Sequence, residues 1–322
     1  MMGYMQEPDI RTFPHGIHAV DTRYVRAGLD ASHLVVRNGR AAFVDCGANS
    51  SVPQLLAALD KLEIPRANVD YLFLTHVHLD HAGGAGALMQ ALPDATAVVH
   101  PKGAPHMADP AKLEAGTRAV YGDSVYDKLY GTLEPIPEER IHAVRDEEVL
   151  LLGGSRFRFL HTPGHALHHV AIHDEDAESV FTGDIFGISY RVFDNPAGEA
   201  FVFPTTTPTQ FDPDQMHASI DRIVGYRPEA VFMTHYSRST EIERMAADLH
   251  RDVDRFAEIG REWSGEPDAE EHIRHALHDY VAGRVVAHGA NVDPQTRETW
   301  LAMDMNLNAA GLLAWQRRLA KR

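Results

Sequence analysis

Through the first two thirds of the chain, apolar residues come in short runs separated by turn residues, the pattern of strands in a layered domain. Residues 16–21 (GIHAVD), 33–37 (HLVVR) and 41–45 (AAFVD) predict three strands. The last two are joined by Asn38-Gly39, a pair that suits a primed hairpin turn. A helix is predicted near 51–61, a strand at 71–74, a helix near 84–91 and a strand at 95–99. Further β runs follow at 149–152, 156–160, 169–173, 179–183 and 230–234. From about residue 213 the period lengthens to that of helices, at 213–225, 239–262, 268–283 and 294–320.

Two segments break the alternation. Residues 102–145 read as mainly helical and carry Tyr121, Tyr126 and Tyr130, and residues 186–212 read as a long loop with Tyr190, Phe193, Phe201, Phe203 and Phe211. Long loops in compact domains are usually functional, so both groups are expected to form pocket walls. A composition shift at Gly265-Glu266-Pro267 divides the chain into a main domain, 1–265, and a C-terminal helical extension, 266–322.

Composition narrows the chemistry. The 322 residues, 44% hydrophobic and 24% charged, suffice for a sizeable core. No basic start leads into an apolar stretch and no run is long enough to span a bilayer, so a cytoplasmic protein without a membrane partner is expected. The single cysteine, Cys46, excludes an internal disulfide and a thiolate zinc cluster, leaving histidine and carboxylate as metal donors. A formal charge of −16 repels polyanions, which argues against nucleic acid and for a small-molecule substrate; a homo-oligomer is compatible with all of this.

The sharpest local signal is HVHLDH at 76–81, directly after the apolar run YLFL. In an extended segment, residues two apart face the same way, so His76, His78 and Asp80 are expected on one side, with His81 reached by a turn near Gly83-Gly84. Imidazole and carboxylate at this density are what a divalent cation requires. More donors stand after other β runs: His165 in HTPGH, Asp184 in FTGD and His235 in FMTH. Polar breaks at the same kind of place argue for convergence on one rim of the sheets.

This ordered set resembles the metallo-β-lactamase superfamily and, within it, the glyoxalase-II-like hydrolases, over about residues 16–240. The resemblance implies an α+β fold, a four-layer αββα sandwich, here with a C-terminal helical appendage. It implies two divalent metal ions, zinc first, with iron or manganese accepted by the same donors. His76, His78 and His165 would hold one, Asp80, His81 and His235 the other, and Asp184 would bridge them. A bridging hydroxide would then attack a small ester, thioester, lactone or phosphoester. Bound zinc lowers the pKa of water from 15.7 to about 7, roughly 12 kcal/mol of differential stabilisation, well beyond the usual contribution of a side-chain base.

Softer assignments go with it. Asp80 and Asp184 are the catalytic carboxylates, and Tyr236, beside His235, is a candidate donor to a developing oxyanion. His169 and Asp45 are candidates for orienting ligands. Departures from known branches narrow the choice. β-Lactamases proper lack the bridging Asp, flavodiiron proteins place Glu where His78 stands, and acyl-homoserine lactonases have Tyr where this chain has Gly187. Arg238 and Arg244 do not make the basic cluster expected of hydroxyacylglutathione hydrolase. Rival readings are a mononuclear iron dioxygenase acting on persulfides and a metal-bearing, non-catalytic binding scaffold.

Overall fold

The computed structural model describes residues 7–206 and 210–321, and they form two compact units. The first comprises residues up to 161 together with 170–183, the second residues 162–169 together with those from 184 onward.

The first unit begins with β1 (Ile10–Phe13), β2 (Ile17–Asp21), β3 (Ala31–Arg37) and β4 (Arg40–Val44). There follow α1 (Val52–Lys61), β5 (Val69–Phe73), α2 (Leu79–Ala82), α3 (Ala85–Ala91) and β6 (Thr96–Val99). Next come α4 (Ala104–Ala108), α5 (Ala111–Tyr121), α6 (Asp123–Leu129) and β7 (Ile141–Ala143). The unit closes with β8 (Val149–Leu152), β9 (Ser155–His161), β10 (Val170–Asp174) and β11 (Ser179–Gly183). Strands β1 to β7 make one sheet in sequential order, antiparallel as far as β4 and parallel from β4 to β7. The β3–β4 turn is the predicted one, with both Asn38 and Gly39 at positive φ. Strands β8 to β11 pair antiparallel in a second sheet.

Alternation along the strands sorts the side chains between two faces. Phe43 and Leu72 join Leu55 and Leu59 of α1 and Leu88 of α3 in one buried cluster. Phe73, one position on, turns the other way and meets the rings of Phe157 and Phe159 on β9, with centroids 5.7 and 5.1 Å apart. The first unit alone thus stacks helices, sheet and sheet.

The second unit holds α7 (Pro213–Gly225), β12 (Ala230–Met233), β13 (Ser237–Ser239), α8 (Ile242–Trp263), α9 (Ala269–Ala287) and α10 (Pro294–Leu319). Helix α8 buries Ile242, Met245, Ala246, Leu249, Val253, Phe256 and Gly260, the stripe expected of one helical face. On the same helix, buried Asp252 accepts hydrogen bonds from Tyr280 and Arg284, which ties α9 to α8. Both α7 and α10 begin with an Asp cap and Pro at the first turn, Asp212-Pro213 and Asp293-Pro294. The boundary near residue 265 falls between α8 and α9, inside this unit. No described helix is long and apolar enough to cross a membrane.

Several expectations are corrected. The segment 102–145 is α-helical only as far as Leu129; beyond it a single 3-10 turn at Glu138–Arg140 leads into β7, whose three residues are too few to show a period. Strands β1 and β13 were also not expected, the second because Ser-Arg-Ser has no apolar pattern. In the 186–212 loop, Phe193, Phe201, Phe203 and Phe211 are fully buried and pack the unit's interior rather than line an open pocket. Of the tyrosines at 121–130, Tyr126 and Tyr130 are buried as well, and Tyr130 exchanges a 2.6 Å hydrogen bond with Tyr24.

Candidate metal centre

In the first unit the cluster grows from the C-terminal end of β5, where a parallel sheet commonly places its ligands. His78 is extended (φ −66°, ψ 150°) and its ring lies 4.4 Å from that of His76, so these two share a side as expected. The expected alternation stops there. Asp80 and His81 lie on α2, a single helical turn, and it is this turn that brings His81 back toward His76, their ring centroids 4.0 Å apart. Gly83 and Gly84 serve close approach rather than positive φ: a Cβ on Gly84 would stand 2.8 Å from the Ala48 carbonyl oxygen. A donor atom of His76 lies within 4.8 Å of one on His78 and of one on His81, and Asp80 and His81 are equally close.

Protons on these imidazoles are fixed by Asp45, at the end of β4. Its buried carboxylate accepts hydrogen bonds from the Thr75 backbone N–H at 2.8 Å, the Thr75 hydroxyl at 2.8 Å and His81 Nδ1 at 2.8 Å. An ionised carboxylate only accepts, so His81 carries its proton on Nδ1. The Thr75 hydroxyl has spent its one proton on Asp45. Its 3.2 Å contact with His76 Nδ1 therefore requires a proton on that nitrogen too. Both rings are left with Nε2 as the lone-pair nitrogen, the form a cation needs. His76 and His81 are fully buried, His78 half-buried, and the Asp80 side chain is 25% exposed.

In the second unit His165, Asp184 and His235 come together. His165 Nδ1 donates to the Thr205 carbonyl at 3.3 Å, which again leaves Nε2 outward, 3.4 Å from Asp184 Oδ2. His235 Nε2 stands 3.8 Å from the other oxygen, Asp184 Oδ1. A nitrogen and an oxygen sharing a tetrahedral zinc ion at about 2.0–2.2 Å each are about 3.4 Å apart, so these spacings suit shared cations. His169 holds the Asp184 backbone: its Nε2 accepts the Asp184 N–H at 3.3 Å, while its Nδ1 donates to the Thr162 hydroxyl at 2.8 Å. Tyr236 is half-buried and follows His235 into β13.

The loop carrying His165 is docked on α7. Ser219 donates to the Pro163 carbonyl at 2.6 Å and the Asp212 N–H to the Gly164 carbonyl at 2.8 Å. Gly164 has φ +132°, and a Cβ there would lie 2.4 Å from the Met216 backbone nitrogen, so no other residue fits. Sequence reasoning found Asp45 and His169 but missed Thr75 and Thr205. Thr75 stands just before the histidine motif, yet nothing in its spacing marks it, and Thr205 acts through a backbone carbonyl.

The donor chemistry fits divalent metal. It is made of buried imidazoles with their tautomers fixed and carboxylates spaced to share an ion with them, and the His and Asp side chains fall into sets able to hold one. Known proteins agree. The metallo-β-lactamase fold-containing protein ST1585 of Sulfurisphaera tokodaii is 31% identical over 225 residues, 68% of this chain and 78% of its own length. Hydroxyacylglutathione hydrolase of Acidiphilium cryptum is 26% identical over 229 residues, 71% of this chain and 72% of its own. Human acyl-coenzyme A thioesterase MBLAC2 is 28% identical over 191 residues, 53% of this chain and 63% of its own. The solved structure of ST1585 superposes with a TM-score of 0.65 at 21% identity, covering 92% of this chain and 98% of that one, which shows the expected α+β fold. The model of the metallo-β-lactamase superfamily matches residues 27–235. That span takes in every predicted metal donor from His76 to His235, and the chain belongs to the metallo-β-lactamase superfamily.

Proposed function

We propose that the protein is a metal-dependent hydrolase of a small ester, thioester, lactone or phosphoester, working with two divalent cations, zinc first among them. The observation that carries this reading is Asp184, whose two oxygens address two different imidazoles, His165 and His235, at 3.4 and 3.8 Å. A carboxylate that serves one ion has no need to divide its oxygens this way. His76, His78 and His165 are assigned to one cation, Asp80, His81 and His235 to the second, and Asp184 to both. Relatives named as a hydroxyacylglutathione hydrolase and an acyl-coenzyme A thioesterase support hydrolysis.

Cations held there supply Lewis acidity toward a substrate carbonyl or phosphoryl oxygen and toward water. The chain's own residues do the rest. Asp80, the more exposed carboxylate, accepts the proton that the attacking water gives up. Tyr236 donates to the substrate oxygen as negative charge grows on it. Asp45 and Thr75 keep the His81 and His76 protons on Nδ1 throughout. The net charge of −16 disfavours a long polyanion as substrate.

A panel of thioesters, lactones and phosphodiesters, run on zinc-loaded protein, tests the reaction. Turnover of at least one class is expected, lost in Asp184→Asn together with at least one equivalent of metal. No turnover of any class at full metal occupancy contradicts a hydrolase, and full occupancy in Asp184→Asn contradicts the bridge.

A further inference from the structure

Helix α10 lies beyond the span that the family model matches, yet its inner face is tied to two of the assigned ligands within the second unit. One tie runs to His165. The Thr206 backbone N–H donates to the Asn308 side-chain oxygen, and the Thr206 hydroxyl donates to the Asn308 carbonyl at 3.0 Å. Asn308 is fully buried, and three residues on, α10 has Gly311, where a Cβ would stand 2.4 Å from the Thr206 carbonyl oxygen. Only a glycine lets the helix press this closely. The segment so held presents the Thr205 carbonyl, which takes the Nδ1 proton of His165 at 3.3 Å.

A second tie runs to His235. The Tyr190 hydroxyl donates to the buried Asp304 carboxylate on α10 at 3.1 Å, and its ring lies 5.0 Å from that of Trp300 on the same helix. The Tyr190 ring also meets His235 edge-to-face, with centroids 6.5 Å apart. The neighbouring Ser189 N–H donates to the His235 carbonyl. Asp304 and Asn308 are four residues apart, on one face of α10.

We propose that α10 is a positioning element for the metal centre: Asn308, through Thr205–Thr206, fixes the tautomer and orientation of His165, and Asp304, through Tyr190, fixes the ring of His235. This rests on the assignment of His165 and His235 as metal ligands. A hydrogen-bonded partner that orients a ligand typically changes metal affinity by about 10–100-fold when it is removed. The helix thus acts on the centre without touching substrate or cation, and a chain cut before α10 loses metal affinity with its ligands intact.

Metal-stripped full-length protein titrated with zinc or cobalt against a competing chelator tests this, with the cobalt absorption band reporting ligand geometry. Asn308→Leu keeps volume but removes the acceptor, and Tyr190→Phe keeps the ring but removes the donor. The control is Glu298→Ala, which removes a different tie of α10, to His278 on α9. Asn308→Leu is expected to weaken at least one cation by 10–100-fold and to shift the cobalt band. Tyr190→Phe is expected to shift the band with a smaller loss, and Glu298→Ala to leave both unchanged. Thr206→Val, a milder change, carries the same test if Asn308→Leu yields no folded protein. Unchanged affinity and spectrum in the Asn308 and Thr206 variants overturn the proposal, as does a loss that Glu298→Ala reproduces at matched melting temperature. A wild-type chain that takes up no cation overturns the ligand assignment itself, and this proposal with it.

Discussion

At the scale of single residues, Asp45 has the widest reach, because one buried carboxylate sets the proton on His81 directly and on His76 through the Thr75 hydroxyl. Asn in its place presents an N–H₂ or an amide oxygen, and neither orientation can accept the Thr75 N–H, the Thr75 hydroxyl and His81 Nδ1 together. Asp45→Asn is therefore expected to lower metal affinity by about 10–100-fold while the chain stays folded, measured by chelator competition and circular dichroism. Affinity equal to that of the wild type would show that the tautomers are held by something else. Asp45 was readable as a candidate because it ends an apolar strand, as the proposed ligands follow theirs. Thr75 was not: its role follows from having one proton and two neighbours, and both neighbours are defined only once β4, β5 and α2 are in place.

Among the elements, the loop 162–169 and helix α7 show how His165, a proposed ligand, is placed by backbone contact. Gly164 combines φ +132° with a Met216 backbone that would stand 2.4 Å from any Cβ. Neither a rotamer change nor a shift of a flexible side chain relieves that contact. Gly164→Ala is expected to lower stability by about 2–3 kcal/mol or more, since strain and overpacking act together, and to reduce zinc uptake by displacing His165. Denaturant titration and metal analysis of the variant check both parts, and wild-type values in both would contradict the docking of this loop on α7. Element by element, the long periodic segments were legible: α1, α7, α9 and α10 and the β3–β4 hairpin lie where pattern and turn residues put them. The exceptions have local causes. Asp80 is expected to continue the extended segment and His81 to be reached by a turn at Gly83-Gly84, whereas both lie on α2, whose four residues carry too little sequence to announce a helix. The aromatics of 186–212 were read as pocket walls because loops are usually exposed, whereas this one is wrapped so that its rings fill the second unit.

For the molecule as a whole, buried histidines couple stability to pH. His33 is pushed by burial from its usual 6.5 down to about 4, with the Asp45 charge opposing the shift only in part. The unfolded chain then binds a proton near pH 6.5 that the folded chain takes up only near pH 4. Stability accordingly falls as pH drops through 6.5 and levels off below 4, by about 3 kcal/mol for this residue. Urea unfolding of wild type and His33→Leu between pH 7 and 4 is expected to show a flatter dependence in the variant, and parallel curves would contradict it. The fold was thus legible from pattern and motif, and so were the His and Asp side chains that gather into sets able to hold a metal, while the proposed role of α10 was not, because its ties toward His165 and His235 are made by isolated polar side chains on an otherwise ordinary helix. The central claim is that the chain's histidines and aspartates hold a pair of cations. Elemental analysis of the purified wild-type protein tests it most directly: two divalent metal ions per chain are predicted, and one ion or none, after dialysis against the free metal, would contradict it.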